Sequence, residues 1–157
     1  MDAWSEYKYN QAKAWLEYVR KLGRSAERTR LIVEDERAQL ENVRGVDYTR
    51  EHVSGSTGLA DVDALIESLH RNIRDYCATE AAYVRERKDA YDRLARLENA
   101  VERDALTLRY VMGMPWKDVC EELGYSKSRM MVLRKSAIAN AYDVMPREWR
   151  DPIPPAL

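Results

Sequence analysis

Phenylalanine is absent from the 157 residues, and glycine (6), proline (5) and cysteine (2) are scarce. So few chain-breakers argue against a β-sandwich, which needs many tight turns. Cys77 and Cys120 lie far apart in the chain. Together with His52 and His70 they complete no metal-ligand spacing, so neither a disulfide scaffold nor a zinc cluster is expected. No stretch approaches the ~18 apolar residues of a membrane span. Met1–Glu6 shows no basic stretch leading into an apolar run, so no signal peptide is expected and the expected location is the cytoplasm. An excess of one charge is missing too: 26 basic against 27 acidic residues leave a net charge of −1. That balance excludes a uniformly basic nucleic-acid coat and an acidic tail. What is present is 34% charged residues, 10 tyrosines and 4 tryptophans. High charge with few breakers predicts an all-α chain of long amphipathic helices.

Glycine and proline punctuate the chain. None occurs between Gly23 and Gly45, nor between Gly58 and Gly113. Three glycines with Ser and Thr mark an irregular connection at about 44–60. After it, heptad position a falls at Val62, Leu69, Tyr76, Tyr83, Ala90 and Leu97. Position d falls at Ile66, Ile73, Glu80, Arg87, Leu94 and Val101. Glu80 and Arg87 break an otherwise apolar or aromatic seam. Before the loop, Trp15, Tyr18, Leu22, Ala26, Thr29, Ile32, Glu36, Leu40 and Val43 follow a three-four spacing, continued upstream by Trp4 and Tyr7. Gly23 is expected to kink or interrupt this first helix, at a cost of about 1 kcal/mol relative to Ala. Each helix must bury its stripe, either as a long antiparallel, coiled-coil-like hairpin or by self-association through the same seam. The expected organisation is a hairpin over residues 1–101, a second domain over 102–145 and a Pro-rich tail over 146–157.

The second domain has its own punctuation. A helix over Arg103–Met112 stops at Gly113. A second begins at Pro115, runs through Trp116–Leu123 and ends at Gly124. Ser126 is placed to cap a third, Lys127 to about Tyr142. Two short helices joined by a glycine-containing turn have the form of a helix-turn-helix. On a helical projection Met130, Leu133, Ala137 and Ala141 face inward, with Ile138 flanking. Ser128, Met131, Val132 and Lys135 face outward, and Lys127, Arg129 and Arg134 lie at the boundaries. From Tyr125 to Asn140 there are four basic residues and no acidic one, a stretch suited to phosphate.

The series Ala105-Leu106-Thr107-Leu108-Arg109-Tyr110, then Met114-Pro115-Trp116-Lys117-Asp118-Val119-Cys120-Glu121-Glu122-Leu123-Gly124-Tyr125-Ser126, resembles the region-4 domain of sigma-70-type factors. The match covers roughly Glu102 to Ala141. The whole chain is similar to phage-encoded, sigma-factor-like regulators of the ArpU/RinA kind, which place a long helical half before such a domain. Asp47–Ser56 looks like the Tyr-x4-Val-x-Gly/Ser loop of that group. The resemblance implies a helix-turn-helix whose base-reading positions are Lys127, Ser128, Met131, Val132 and Lys135. Lys117, Ser126, Arg129 and Arg134 complete the implied DNA-binding set. Sigma factors usually carry Arg and Gln where this chain has Met131 and Val132. These side chains make no bidentate hydrogen bond to a base; they suit thymine methyl groups or an apolar patch for a protein partner.

Trp116, Val119, Cys120 and Leu123 are expected as core of this domain. Trp4, Tyr7, Trp15 and Tyr18 are expected as core or interface, and Cys77 as packing beside Tyr76. Trp149 and Ile153 are candidates to dock the tail. No phosphate-binding glycine loop, nucleophile elbow or zinc-protease histidine pair occurs, so no enzyme and no cofactor is expected. The expected function is a DNA-binding transcriptional regulator of phage or prophage genes in a bacterial host. Its expected partners are double-stranded DNA, RNA polymerase and a second copy, with no membrane and no small-molecule substrate. The alternatives are a small terminase-like packaging adaptor and a protein-interaction module whose helix-turn-helix binds no DNA.

Overall fold

The computed structural model describes residues 2–44 and 57–151, with side chains of residues 2–43 and 61–151. The motif Asp47–Ser56, His52 and Ile153 lie outside the described residues. Within them the chain is all-helical: α1 (Ala3–Arg44), α2 (Thr57–Leu94), α3 (Ala100–Leu106) continuing into a π-helical turn (Thr107–Val111), α4 (Trp116–Leu123), α5 (Lys127–Ala141) and a 3-10 turn (Arg147–Trp149). No described helix is long and apolar enough to cross a membrane.

The long helices depart from the sequence expectation in four places. α1 runs through Gly23 without a break. There a Cβ would stand 3.0 Å from Cε2 of Tyr83, so Gly23 serves a close approach between helix backbone and ring. The buried positions of α1 are Ala12, Val19, Ala26 and Val33, one every seven residues, with Trp15 and Leu16 beside the first. Ile32, placed in the stripe by the three-four spacing, is exposed, because a strict seven-residue repeat selects Val33 instead. α2 ends at Leu94, seven residues before the heptad pattern does. Arg96 N–H bonds Arg93 C=O and Leu97 N–H bonds Leu94 C=O, a tightened end. Asn99 then caps α3, its side chain accepting from the N–H groups of Val101 and Glu102. Leu97 is still buried, but from the connection rather than from the long helix. Cys77, expected as packing beside Tyr76, is exposed.

The chain forms two compact units. One joins the residues up to Gly23 with those from Tyr83 onward; the other is Arg24–Ala82. The division falls inside α1 and α2, and the first unit shares one core. Ala12, Trp15, Leu16 and Val19 of α1 and Ala90 and Leu94 of α2 pack with Leu106, Tyr110, Ala137, Ile138, Ala141 and Met145. Trp15, Leu16, Leu94, Leu106, Ile138 and Met145 are fully buried, each contributing about 2 kcal/mol of apolar transfer. Beyond Pro146 the chain folds back on α1. Tyr18 meets Trp149 at 4.9 Å between ring centroids, and Tyr7 donates a 2.7 Å hydrogen bond to the Asp151 carbonyl.

The second unit has a thinner interior. Its buried apolar residues, among those described, are Ala26, Val33 and Leu69. A polar layer lies among them: Glu36 Oε1 accepts from Ser68 Oγ at 2.7 Å and from Asn72 Nδ2 at 2.8 Å.

Candidate nucleic-acid interface

Local chemistry fixes α4 and α5 closely. Pro115 stands just before the first helical residue of α4, with extended backbone. At the other end Gly124 takes φ 67°, the left-handed region. Tyr125 N–H then bonds Cys120 C=O at 2.9 Å and Gly124 N–H bonds Glu121 C=O, the Schellman pattern that satisfies the last carbonyls of a helix. After this short turn Ser126 caps α5, its Oγ accepting from Arg129 N–H at 3.3 Å.

α5 is held from beneath by two clusters. Met130 joins Ala105 and Val119 in a small core flanked by Trp116, Cys120, Leu123, Tyr125 and Leu133. Ala137, Ile138 and Ala141 enter the larger core. Between α3 and α5 sits Glu102, 5% exposed, accepting from Ser136 Oγ at 2.7 Å and Asn140 Nδ2 at 2.8 Å. With its inner face anchored at both ends, the outer face of α5 is a fixed surface.

The nine sequence-predicted residues fall into three sets. Ser128, Met131, Val132 and Lys135 share one shallow groove of about 740 Å³, joined by Ser5 from α1. Lys117, Lys127 and Arg134 share another of about 670 Å³ between α4 and α5, with Met131 common to both and Glu121 as its single acidic residue. Ser126 and Arg129 line neither groove. The Ser126 hydroxyl is engaged as the cap, and the Arg129 guanidinium lies 4.7 Å from the Tyr125 ring centroid. Val132 is 73% exposed and Met131 47%, so the outward face is apolar at its centre and cationic at its margins.

Two arginines are pre-positioned by aromatic rings. Arg134 lies 5.8 Å and Arg109 5.6 Å from the Trp116 ring centroid, and Arg109 also donates to the Met114 carbonyl at 2.9 Å. Tyr110 meets Trp116 edge-on at 6.1 Å. Burial, with Glu17 adding to it, pushes the Tyr110 phenol up to about 12, so it stays neutral at physiological pH. A sequence reading misses these supports. Tyr125 and Arg129 lie one helical turn apart and could have been paired, whereas Trp116 and Arg134 meet only through the tertiary fold.

Among the described residues no group of His, Cys, Asp and Glu side chains could hold a metal ion. No protein family, curated protein or solved structure matches this chain.

Proposed function

We propose that the chain is a sequence-specific DNA-binding regulator of phage or prophage genes, acting in the cytoplasm of a bacterial host. In this reading α4, its turn and α5 form a helix-turn-helix of the sigma region-4 kind, and α5 is the recognition helix. α1 and α2 form an antiparallel hairpin that serves dimerisation or contact with RNA polymerase. The observation that carries the reading is the outer face of α5: acid-free, anchored from below, and presenting Ser128, Met131, Val132 and Lys135 together. Met131 and Val132 would meet thymine methyl groups, while Lys117, Lys127, Arg129 and Arg134 would lie along phosphates. The net charge of −1 sets nonspecific affinity low.

Selection of bound fragments from genomic DNA at moderate salt tests the proposal and yields the operator. On that operator, replacing both Lys127 and Lys135 with Ala should lower affinity, through a phosphate contact of Lys127 and a base-edge contact of Lys135, and flatten the dependence of log K on log salt by roughly one phosphate contact. Unchanged binding by the double variant would remove α5 from the groove. The 73% exposure of Val132 supports a second reading, a protein-docking face. Retained polymerase binding with no DNA retardation at low salt would favour it.

A further inference from the structure

Among its described residues the second compact unit has one pair of large apolar side chains that is exposed. Leu31 is 51% and Ile32 48% exposed, although the unit buries only Ala26, Val33 and Leu69 among its described apolar residues. On a helix turning 100° per residue, Leu31 lies opposite the buried side of α1, with Ile32 at the edge of the same outward sector. Arg24, Arg28, Asp35 and Gln39 share that sector. The order along it is basic, apolar, acidic. Arg28 and Asp35 are both exposed and lie one heptad apart, equidistant from the midpoint of the apolar pair. Within the sector Asp35 accepts a 2.8 Å hydrogen bond from the neutral Gln39 amide, which leaves its charge to be met by a cation, whereas outside it Arg30 is paired with both Glu27 and Glu34.

This pattern is self-complementary under a twofold rotation. Laying a second copy of α1 antiparallel across the first, centred between Leu31 and Ile32, brings apolar pair onto apolar pair. Each Arg28 then meets Asp35 of the other copy, about 5 Å to either side of the centre along the axis. Parallel packing would instead set Arg28 against Arg28 and Asp35 against Asp35, which like-charge repulsion disfavours. We propose that α1 carries an isologous self-association face centred on Leu31 and Ile32, whose occupant is a second copy of this chain in antiparallel register. The inference deepens the dimerisation role given above to the long helices, and because its test contains no DNA it can fail while α5 still reads DNA. Two apolar side chains per copy fall well short of the ~1,600 Å² of a standard stable interface, so the dimer is weak and dissociates on dilution.

Sedimentation of the full chain over a wide concentration range tests this, with helicity by circular dichroism showing that each variant folds. The wild type should pass from one to two copies as concentration rises, and grow no further. Arg28→Asp should weaken the dimer about tenfold, since each of two symmetric pairs turns from attractive to repulsive. Arg28→Asp combined with Asp35→Arg should restore it, because the reversed charges face each other again. A wild type that stays monomeric, an assembly that grows beyond two copies, or a double reversal that fails to restore would each overturn the proposal.

Discussion

Ser136 Oγ on α5 donates a 2.7 Å hydrogen bond to Glu102 Oε1 on α3, and Asn140 Nδ2, one turn further along α5, donates to the other carboxylate oxygen at 2.8 Å. The carboxylate is thereby clamped between two helices that otherwise meet through apolar contacts. A buried acceptor that loses one donor keeps its desolvation cost, worth ~1–3 kcal/mol. Ser136→Ala and Asn140→Ala should each lower stability by about 1–2 kcal/mol. The measurement is urea unfolding, read as a lower midpoint at unchanged slope. The double variant should depart from the sum of the two, because both donors serve one carboxylate.

The same device recurs in the second compact unit, where Ser68 and Asn72 converge on Glu36. Neither pairing is legible in the sequence. Ser and Asn four residues apart can be recognised, but nothing local says which glutamate they will meet. The opposite holds for α4 and α5. Gly124 and Ser126 end one helix and begin the next by chemistry contained within a few residues, so those boundaries follow from the sequence almost to the residue. Periodicity alone was less discriminating. It carried the second long helix past Leu94, because Leu97 stays apolar and buried after the helix has ended. It also chose Ile32 over Val33, because two adjacent β-branched residues fit a three-four spacing about equally well. The inward and outward sides of α5 follow from projection, whereas the Trp116 prop beneath Arg134 requires the fold.

Gly124 offers a clean test of the turn. Its φ of 67° is left-handed, and beyond the flanking residues no heavy atom lies within 4 Å of where a Cβ would stand, so a substitution there meets backbone strain and no tertiary clash. Gly124→Ala should cost about 1–2 kcal/mol by thermal or urea unfolding, and Gly124→Asn less, since Asn tolerates this region better. Equal losses for Ala and Asn would mean that the turn relaxes to another conformation.

Tyr110 predicts a pH dependence on the alkaline side. Its phenol is raised from the ordinary 10.0 to about 12, chiefly by burial. The neutral form is therefore favoured in the folded chain. Its contribution to stability is complete below pH 10 and is lost as pH rises toward about 12. In a spectrophotometric titration, one tyrosinate should appear later than the rest and together with loss of helicity. Tyr110→Phe should flatten the stability profile over that window. A Tyr110 that ionises near 10 without unfolding would contradict its burial.

Val132 separates surface function from fold most sharply. At 73% exposure it contributes little to the core, and its neighbours in the groove, Ser128 and Lys135, are exposed as well. Val132→Asp should therefore leave the unfolding free energy within about 0.5 kcal/mol of wild type. The same carboxylate would stand at the centre of the face proposed to enter the major groove, where phosphates and base acceptors repel it. Operator binding should then fall by two orders of magnitude or more, about 3 kcal/mol, a loss typical of one wrong contact in a specific site. Val132→Thr keeps shape and one methyl group, and should retain most of the affinity. If Val132→Asp binds the operator as wild type does while folding normally, α5 does not read DNA through this face.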